Sequence, residues 1–197
     1  MSNFDNAINS TRLWLEQAVI GLNLCPFAAS VYRQGRVRIV ASDARDYDTA
    51  IQHALAEVSL LLERPEREIA TTLVIYPLAL SDFDTFLDAA YDLEDLMEEA
   101  GTDGFLQVAT FHPDYLFEDS TEDDPANWTN RSPFPTLHLL REDNVTEAVD
   151  QHPAPEAIPK RNVALVRDMG LNEIHDLWTE WTRQGAEQAT RDMEDDA

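Results

Sequence analysis

Apolar residues recur at helical spacing in some segments of the chain and form short continuous runs in others. The helical spacing predicts helices over residues 5–22, 27–33, 46–63, 81–99, 144–149, 159–169 and 172–184. The runs rich in β-branched and apolar residues predict strands over residues 36–41, 71–76, 105–111 and 136–141. Pro26 suits the first position of the second helix, and Gly101 suits the end of the fourth.

The order of these elements predicts a single α/β domain. Two consecutive strand–helix–strand units favour right-handed crossovers and therefore three parallel strands. The fourth strand follows a long connection, and we expect it to return antiparallel beside the third. The sequence thus predicts a mixed four-stranded sheet flanked by helices over residues 1–185, and an acidic, disordered tail over residues 186–197.

The last predicted helix carries Ile174, Leu177, Trp178 and Trp181 on one face. An apolar stripe of this kind packs against a core in most soluble domains, and we expect it to dock on the domain's own core. The alternative is a contact in a homodimer.

The charge of the chain excludes some classes of partner. The 197 residues include 38 acidic and 14 basic side chains, for a formal net charge of -24. Such a surface repels phosphate backbones and anionic headgroups, so we expect neither nucleic acid nor membrane as a partner. No apolar run reaches the roughly 20 residues of a membrane span. One cysteine permits no internal disulfide, and without a recognisable secretion signal we expect a cytoplasmic protein.

The connection between the third and fourth strands is the predicted site. Ligands of open sheets lie beyond the carboxyl ends of parallel strands, and the loop at 112–135 begins there. This loop is long and contains Trp128, Phe134 and four prolines, which favours an ordered, functional segment. His112 is a candidate acid or base, with Asp114 placed to orient its ring. The structural alternative is a histidine that binds loop carbonyls.

Further candidates lie just before and within the fourth strand. Asn130, Arg131 and Ser132 together suit the binding of a carboxylate or phosphate, although Arg131 could instead hold the acidic loop together. His138 and Arg141 lie on opposite faces of the strand and are further candidates for substrate binding. The alternatives are a satisfied core histidine and an arginine that reaches the rim or pairs with an acid.

Cys25 is the only thiol of the chain and follows the first helix. At the start of the next helix its thiolate would be stabilised, so Cys25 is a candidate nucleophile. Its apolar neighbours favour a buried structural role. The chain lacks the sequence motifs for dinucleotide, P-loop, zincin and α/β-hydrolase chemistry, and no cofactor is predicted. A metal site would need Cys25, His112 and His138, three distant segments, to converge.

Three sequence strings are similar to those of a bacterial family catalogued as a domain of unknown function, number fourteen-fifteen. The strings are Gly21-Leu22-Asn23-Leu24-Cys25-Pro26-Phe27-Ala28, Phe111-His112-Pro113-Asp114-Tyr115 and Asn130-Arg131-Ser132-Pro133-Phe134-Pro135-Thr136-Leu137-His138-Leu139-Leu140-Arg141. The resemblance extends over about residues 6–185. It implies that the candidate residues belong to signature segments, but it implies no activity.

Two functions remain open on this basis. The first is an enzyme that acts on a small carboxylate or phosphate at the carboxyl edge of the sheet, with Arg131 and Asn130 binding the anion and His112 transferring a proton. The second is a non-catalytic interaction module that presents the loop 112–135 and the tryptophan-bearing last helix to a partner. The first requires His112 and Arg131 to face one open site.

Overall fold

The four predicted strands form one sheet, in which the fourth strand lies inside the sheet. The computed structural model describes residues 3–102 and 104–195. Strands β1 (Val37–Ala41), β2 (Thr71–Ile75), β3 (Leu106–Phe111) and β4 (Thr136–Arg141) pair in the order β1-β2-β4-β3. β1 and β2 are parallel, and β4 is antiparallel to both of its neighbours.

The prediction of three parallel strands is therefore wrong, since the sheet contains one parallel pair. β4 was expected beside β3, and it does pair with β3, but it also separates β3 from β2. The physical reason lies in the sequence of β4. Leu137 and Leu139 are buried on one face and Thr136 is buried on the other, so the strand suits a position covered on both sides.

Within the described residues, seven α-helices surround the sheet. They are α1 (Asn3–Trp14), α2 (Ala28–Arg33), α3 (Tyr47–Glu63), α4 (Phe83–Glu99), α5 (Glu142–Gln151), α6 (Ala157–Met169) and α7 (Leu171–Asp195). A π-helical turn (Leu15–Ile20) continues α1, and a 3-10 turn (Pro125–Thr129) lies in the loop 112–135. Asp46 caps α3 and Asp82 caps α4, each by accepting a backbone N–H three residues on. None of the helices in the described ranges is both long and apolar enough to cross a membrane.

The two faces of the sheet bury separate apolar clusters. One face carries Val74, Leu137 and Leu139 and packs against α3 and α4. The other carries Leu73 and packs against α1, α6, α7 and the 3-10 turn. Side chains alternate between the faces along each strand, so Leu137 and Leu139 of β4 face α3 and α4 while His138 faces the side of Leu73 and Phe111.

The last helix docks on the domain's own core, as its apolar stripe predicts. Ile174, Trp178 and Trp181 are buried in the cluster on the α1 side. The disordered tail predicted from residue 186 differs from the structure, in which α7 continues to Asp195 and Ala189 is 2% exposed. α7 lies along α1, so the chain beyond residue 185 has a helical surface to pack on. Residues 196 and 197 of that predicted tail lie outside the described ones.

Candidate functional site

His112 lies directly after β3 and is fully buried, with 0% exposure. Its ring packs between Phe83 and Phe86 of α4, at centroid distances of 5.3 and 5.1 Å. The Nδ1 atom accepts the backbone N–H of Asp114 at 3.0 Å, and the Nε2 atom lies 3.2 Å from the carbonyl oxygen of Leu80. Since Nδ1 is an acceptor, the proton is on Nε2, which donates to Leu80. Burial lowers the pKa of His112, and the ring is neutral.

The expected pairing of His112 with the Asp114 carboxylate is thus replaced by a backbone contact. Asp114 is exposed, and its N–H rather than its side chain orients the ring. Both ring nitrogens of His112 are occupied by backbone groups. In this conformation the imidazole holds the loop to the β2–α4 connection and offers no nitrogen to a substrate.

Arg131 holds the loop 112–135 together. Its guanidinium lies over the ring of Trp128 at 4.9 Å and donates to the carbonyl oxygens of Tyr115 and Glu122, at 3.3 and 3.5 Å. Burial lowers the pKa of Arg131, but the group remains charged. A second link fixes the loop from outside, since Arg167 of α6 forms a two-point ion pair with Asp124.

The other two residues of the predicted anion-binding group, Asn130 and Ser132, also make local contacts. Asn130 donates its amide to the carbonyl oxygen of Thr110, at 3.4 Å, and so ties the loop to β3. Ser132 is buried and donates to the carbonyl oxygen of Phe134 at 2.7 Å. Together with Arg131 they shape the return into β4, and the structure does not bring Arg131 and His112 into one open site.

His138 faces the opposite side of the sheet from His112. Its Nε2 lies 2.7 Å from the hydroxyl of Thr71 on β2. That hydroxyl donates to the carbonyl oxygen of Leu139 at 2.6 Å, so it accepts the Nε2 proton of His138. Burial lowers the pKa of His138 to about 4, and the ring is neutral at pH 7. No partner of Nδ1 is found among the described residues.

In the described part of the chain, Arg141 forms no ion pair with an acid and no hydrogen bond with Arg161. Its guanidinium instead binds carbonyl oxygens at and after the carboxyl end of α3, those of Leu61, Arg64 and Ile69, at distances of 2.6 to 3.3 Å. The end of a helix leaves its last carbonyls without partners, and a cation there also complements the helix dipole. Arg141 therefore caps α3 and joins it to the entry into β2.

Cys25 is a free, partly buried thiol in the turn before α2. Its backbone N–H donates to the carbonyl oxygen of Val19, and its own carbonyl accepts the N–H of Ala28. The prediction that Cys25 lies at the cap of the second helix is wrong, because α2 begins at Ala28 and Phe27 is its N-cap. Among the described residues, no three His, Cys, Asp or Glu side chains are grouped as a metal ion requires. The convergence of Cys25 with His112 and His138 fails because the two rings lie on opposite faces of the sheet.

The tryptophans of the proposed interaction surface belong to the core. Trp128 of the loop stacks edge-on against Trp178 at 4.8 Å, and Trp178 packs on Trp181 at 4.7 Å. All three are buried. These rings join the loop to α7, so they are not a surface that a partner protein reaches.

A serine–histidine contact that the sequence analysis did not identify lies at the carboxyl end of β1. The Ser42 hydroxyl oxygen is 2.6 Å from Nδ1 of His53, on the second turn of α3. The same oxygen accepts the backbone N–H of Ala44 at 3.1 Å. With Nδ1 as acceptor, Ser42 donates its proton to His53. The Asp43 carboxylate lies 3.6 Å from the same nitrogen.

This cluster occupies the edge of the sheet where ligands are expected. Ser42 continues the parallel ladder by donating its N–H to Ile75 at the end of β2. Ser42 is 5% exposed, while the side chain of Asp43 is 78% exposed. Arg45, two residues on, is exposed and has no ion-pair partner among the described residues. The signal available in the sequence was a Ser-Asp pair directly after a strand and a histidine on the following helix.

The next connection at the same edge contains a strained residue. Leu80 has a φ of 57°, which lies in the left-handed region. A residue with a side chain is less stable in this backbone conformation than glycine is. Its carbonyl is the acceptor of the His112 Nε2 proton. Sparsely populated backbone conformations of this kind cluster at functional sites.

Comparison with known proteins identifies a family and no closer relative. The chain matches no curated protein and no solved structure. A family model described as "Protein of unknown function (DUF1415)" matches residues 6–176, which include the candidates from Cys25 to Arg141 but not Trp178 and Trp181. The match spans most of the chain, and the protein therefore belongs to this family of unknown function.

Proposed function

We propose that this protein is an enzyme that hydrolyses a small anionic ester at the carboxyl edge of its sheet. Ser42 acts as the nucleophile, His53 as the base and Arg45 as the group that binds the negative charge. This keeps the expected negative charge of the substrate, assigns a reaction class that the sequence left open, and moves the chemistry from the loop 112–135 to the β1–α3 connection. The observation that carries the proposal is the 2.6 Å contact between the Ser42 oxygen and His53 Nδ1.

That contact has the geometry of an activated nucleophile. A hydroxyl attacks a carbonyl only if its proton leaves, and a base within about 2.6–3.2 Å of the oxygen can take it. The Ala44 N–H, at 3.1 Å, stabilises negative charge on the same oxygen. Of the histidines in the described ranges, His112 and His138 bind their surroundings through backbone or Thr71, whereas His53 contacts a hydroxyl next to an exposed carboxylate.

The reaction follows the usual order of acyl transfer. The Ser42 oxygen attacks the ester carbonyl and its proton moves to His53 Nδ1. The bond from the carbonyl carbon to the leaving oxygen then breaks, and that oxygen takes the proton from His53. Water, deprotonated by the same nitrogen, releases the acid from Ser42. The Asp43 carboxylate stabilises the imidazolium that forms in each half of the cycle.

Arg45 determines the preference for an anion. The average surface of a chain with a net charge of -24 repels negative substrates, so binding requires a local cation. Arg45 lies between the nucleophile and the start of α3 and is not neutralised by an ion pair among the described residues.

The test is covalent labelling of Ser42 with a small alkyl fluorophosphonate. Its phosphorus forms a bond to the serine oxygen and releases fluoride. We expect one adduct by intact mass, located at Ser42 by peptide mapping, and none in Ser42→Ala. His53→Gln slows labelling by at least about 100-fold, the size of a general-base effect. Ser59→Ala is the matched control, because Ser59 on α3 donates only to its own helix at Leu55.

Substrate charge is tested separately with p-nitrophenyl esters. Wild type should hydrolyse the hemisuccinate ester with a lower KM than the acetate ester, and Arg45→Gln should remove this difference without changing kcat for the acetate. Absence of labelling at Ser42, or equal labelling of wild type and His53→Gln, refutes the proposal.

A further inference from the structure

An open cleft of about 390 Å³ lies on the α1 side of the sheet, beside the edge strand β1. Its lining includes Val37 and Ile39 of β1 and Ile69, which precedes β2. Val37 and Ile69 lie at the amino end of the parallel strand pair and Ile39 lies at its middle, whereas Ser42 and Ile75 mark the carboxyl end. The cleft is therefore separate from the serine–histidine cluster.

Three aliphatic side chains lie in the cleft and are incompletely covered, although most of its accessible lining is polar. Val37, Ile39 and Ile69 pack against the core clusters but each keeps part of its surface accessible. A ligand with a hydrocarbon body that covers them would remove apolar surface from water, which is favourable. The cleft volume falls in the range of about 300–1,000 Å³ that is typical of small-molecule sites.

The wall of the cleft holds a fixed polar group. Tyr32 of α2 donates its hydroxyl to the carboxylate of Glu16, in the π-helical turn after α1. Burial and this hydrogen bond raise the pKa of Tyr32 to about 12, so the ring stays neutral and the Glu16 carboxylate stays occupied. π-Helical turns occur frequently at functional sites.

Arg12 supplies the positive charge of the cleft. Its Nη1 donates to the amide oxygen of Asn9 at 3.0 Å, and it has no ion-pair partner among the described residues. Arg38 also lines the cleft, but its guanidinium is bound at two points by Glu57 of α3, at 2.7 and 2.8 Å. The guanidinium of Arg12 is thus the one that a ligand can engage, and it matches a carboxylate in shape and charge.

We propose that this cleft is a second ligand site and that it binds a small monocarboxylate with an apolar body. The carboxylate pairs with Arg12, and the hydrocarbon part covers Val37, Ile39 and Ile69. Glu68 lies at the rim, where its carboxylate is 3.7 Å from Arg64, and it disfavours a ligand with more than one negative charge. The site is independent of the proposed esterase activity.

The probe is benzoate, with benzyl alcohol as its uncharged counterpart. Titration followed by two-dimensional amide NMR should show saturable shifts confined to the cleft residues. Two affinities should be at least about tenfold weaker than that of benzoate for wild type: that of benzyl alcohol for wild type and that of benzoate for Arg12→Gln. In both cases a charge-assisted pair is lost. Arg33→Gln is the matched control, since Arg33 of α2 is exposed and bonds only to its own helix at Ala29.

Two further variants separate this site from the rest of the chain. Ile39→Ser should weaken the binding of benzoate, because apolar contact area is lost. The variant should still bind benzoate more tightly than benzyl alcohol, because Arg12 is unchanged. Ser42→Ala should bind benzoate like wild type, so failure of the esterase proposal does not affect this result. The inference is overturned if benzoate produces no saturable cleft shifts at about 10 mM, or if Arg12→Gln binds it unchanged.

Discussion

The Nε2 proton of His112 is donated to the carbonyl oxygen of Leu80, a leucine held at a φ of 57°. The contact joins the end of β3 to the connection between β2 and α4, across 32 residues of sequence. It lies in a fully buried position, where an unpaired carbonyl would be costly. His112 therefore stabilises a strained connection at the carboxyl edge of the sheet.

Replacing this histidine should destabilise the fold. His112→Ala removes a buried ring between two phenylalanines and leaves the Leu80 carbonyl and the Asp114 N–H without partners. We expect a loss of about 3–5 kcal/mol in the free energy of unfolding, measured by urea denaturation. Asp176→Ala is the control, because Asp176 is exposed on α7, and should change stability by less than about 0.5 kcal/mol.

The pH dependence of stability should contain a contribution from His138. Its pKa is about 4 in the folded protein, against an ordinary value of 6.5. Between these two pKa values the unfolded state therefore binds a proton at His138 while the folded state does not. The contribution of the neutral ring to the free energy of unfolding is complete above about pH 6.5 and is lost as the pH falls towards 4. The expected loss is about 3 kcal/mol.

The measurement is a series of urea denaturations from pH 8 to pH 4 for wild type and His138→Gln. Carboxylate protonation affects both proteins, so the difference between the two curves isolates the histidine. The difference should shrink as the pH falls below about 6.5. A difference that stays constant across the range would contradict the buried neutral ring.

Arg141 should be a strong stabilising residue even though it forms no ion pair in the described part of the chain. Arg141→Met keeps most of the apolar stem but leaves the carbonyl oxygens of Leu61, Arg64 and Ile69 without their donor. We expect a loss of about 2–3 kcal/mol by thermal or urea unfolding. Arg33→Met, on an exposed helix face, should be nearly neutral. Equal effects for the two variants would show that the α3 cap contributes little.

The close approach of α7 to α1 can be tested by replacing Gly185, which lies at the contact. A Cβ on Gly185 would lie 2.2 Å from the Ser10 hydroxyl oxygen and 2.6 Å from the Ser10 backbone nitrogen, so the helices must separate. Gly185→Ala should therefore destabilise the protein by at least about 1–3 kcal/mol, although alanine favours helices. Gly104→Ala meets no atom within 4 Å and serves as the control. A more stable Gly185→Ala protein would contradict this packing.

Much of the local structure followed from the sequence because it depends on near neighbours. All four strands and the cores of the helices lie where the periodicity predicted them, since alternation and helical spacing are set over a few residues. The candidate segments around His112, Arg131 and His138 were also identified, directly after β3, in the loop 112–135 and within β4 respectively. Their contacts were not, because a hydrogen bond between His112 and Leu80 depends on which strands become neighbours.

The sequence by itself determined the α/β class, the positions of the strands and the strongly acidic surface. Only the tertiary structure decided that β4 enters the sheet between β2 and β3, that the two candidate histidines lie on opposite faces, and that Ser42 meets His53. The physical reason is that strand order and side-chain partners depend on the packing of residues far apart in the chain. A local pattern specifies which face of an element is apolar, but several arrangements of elements can bury the same faces.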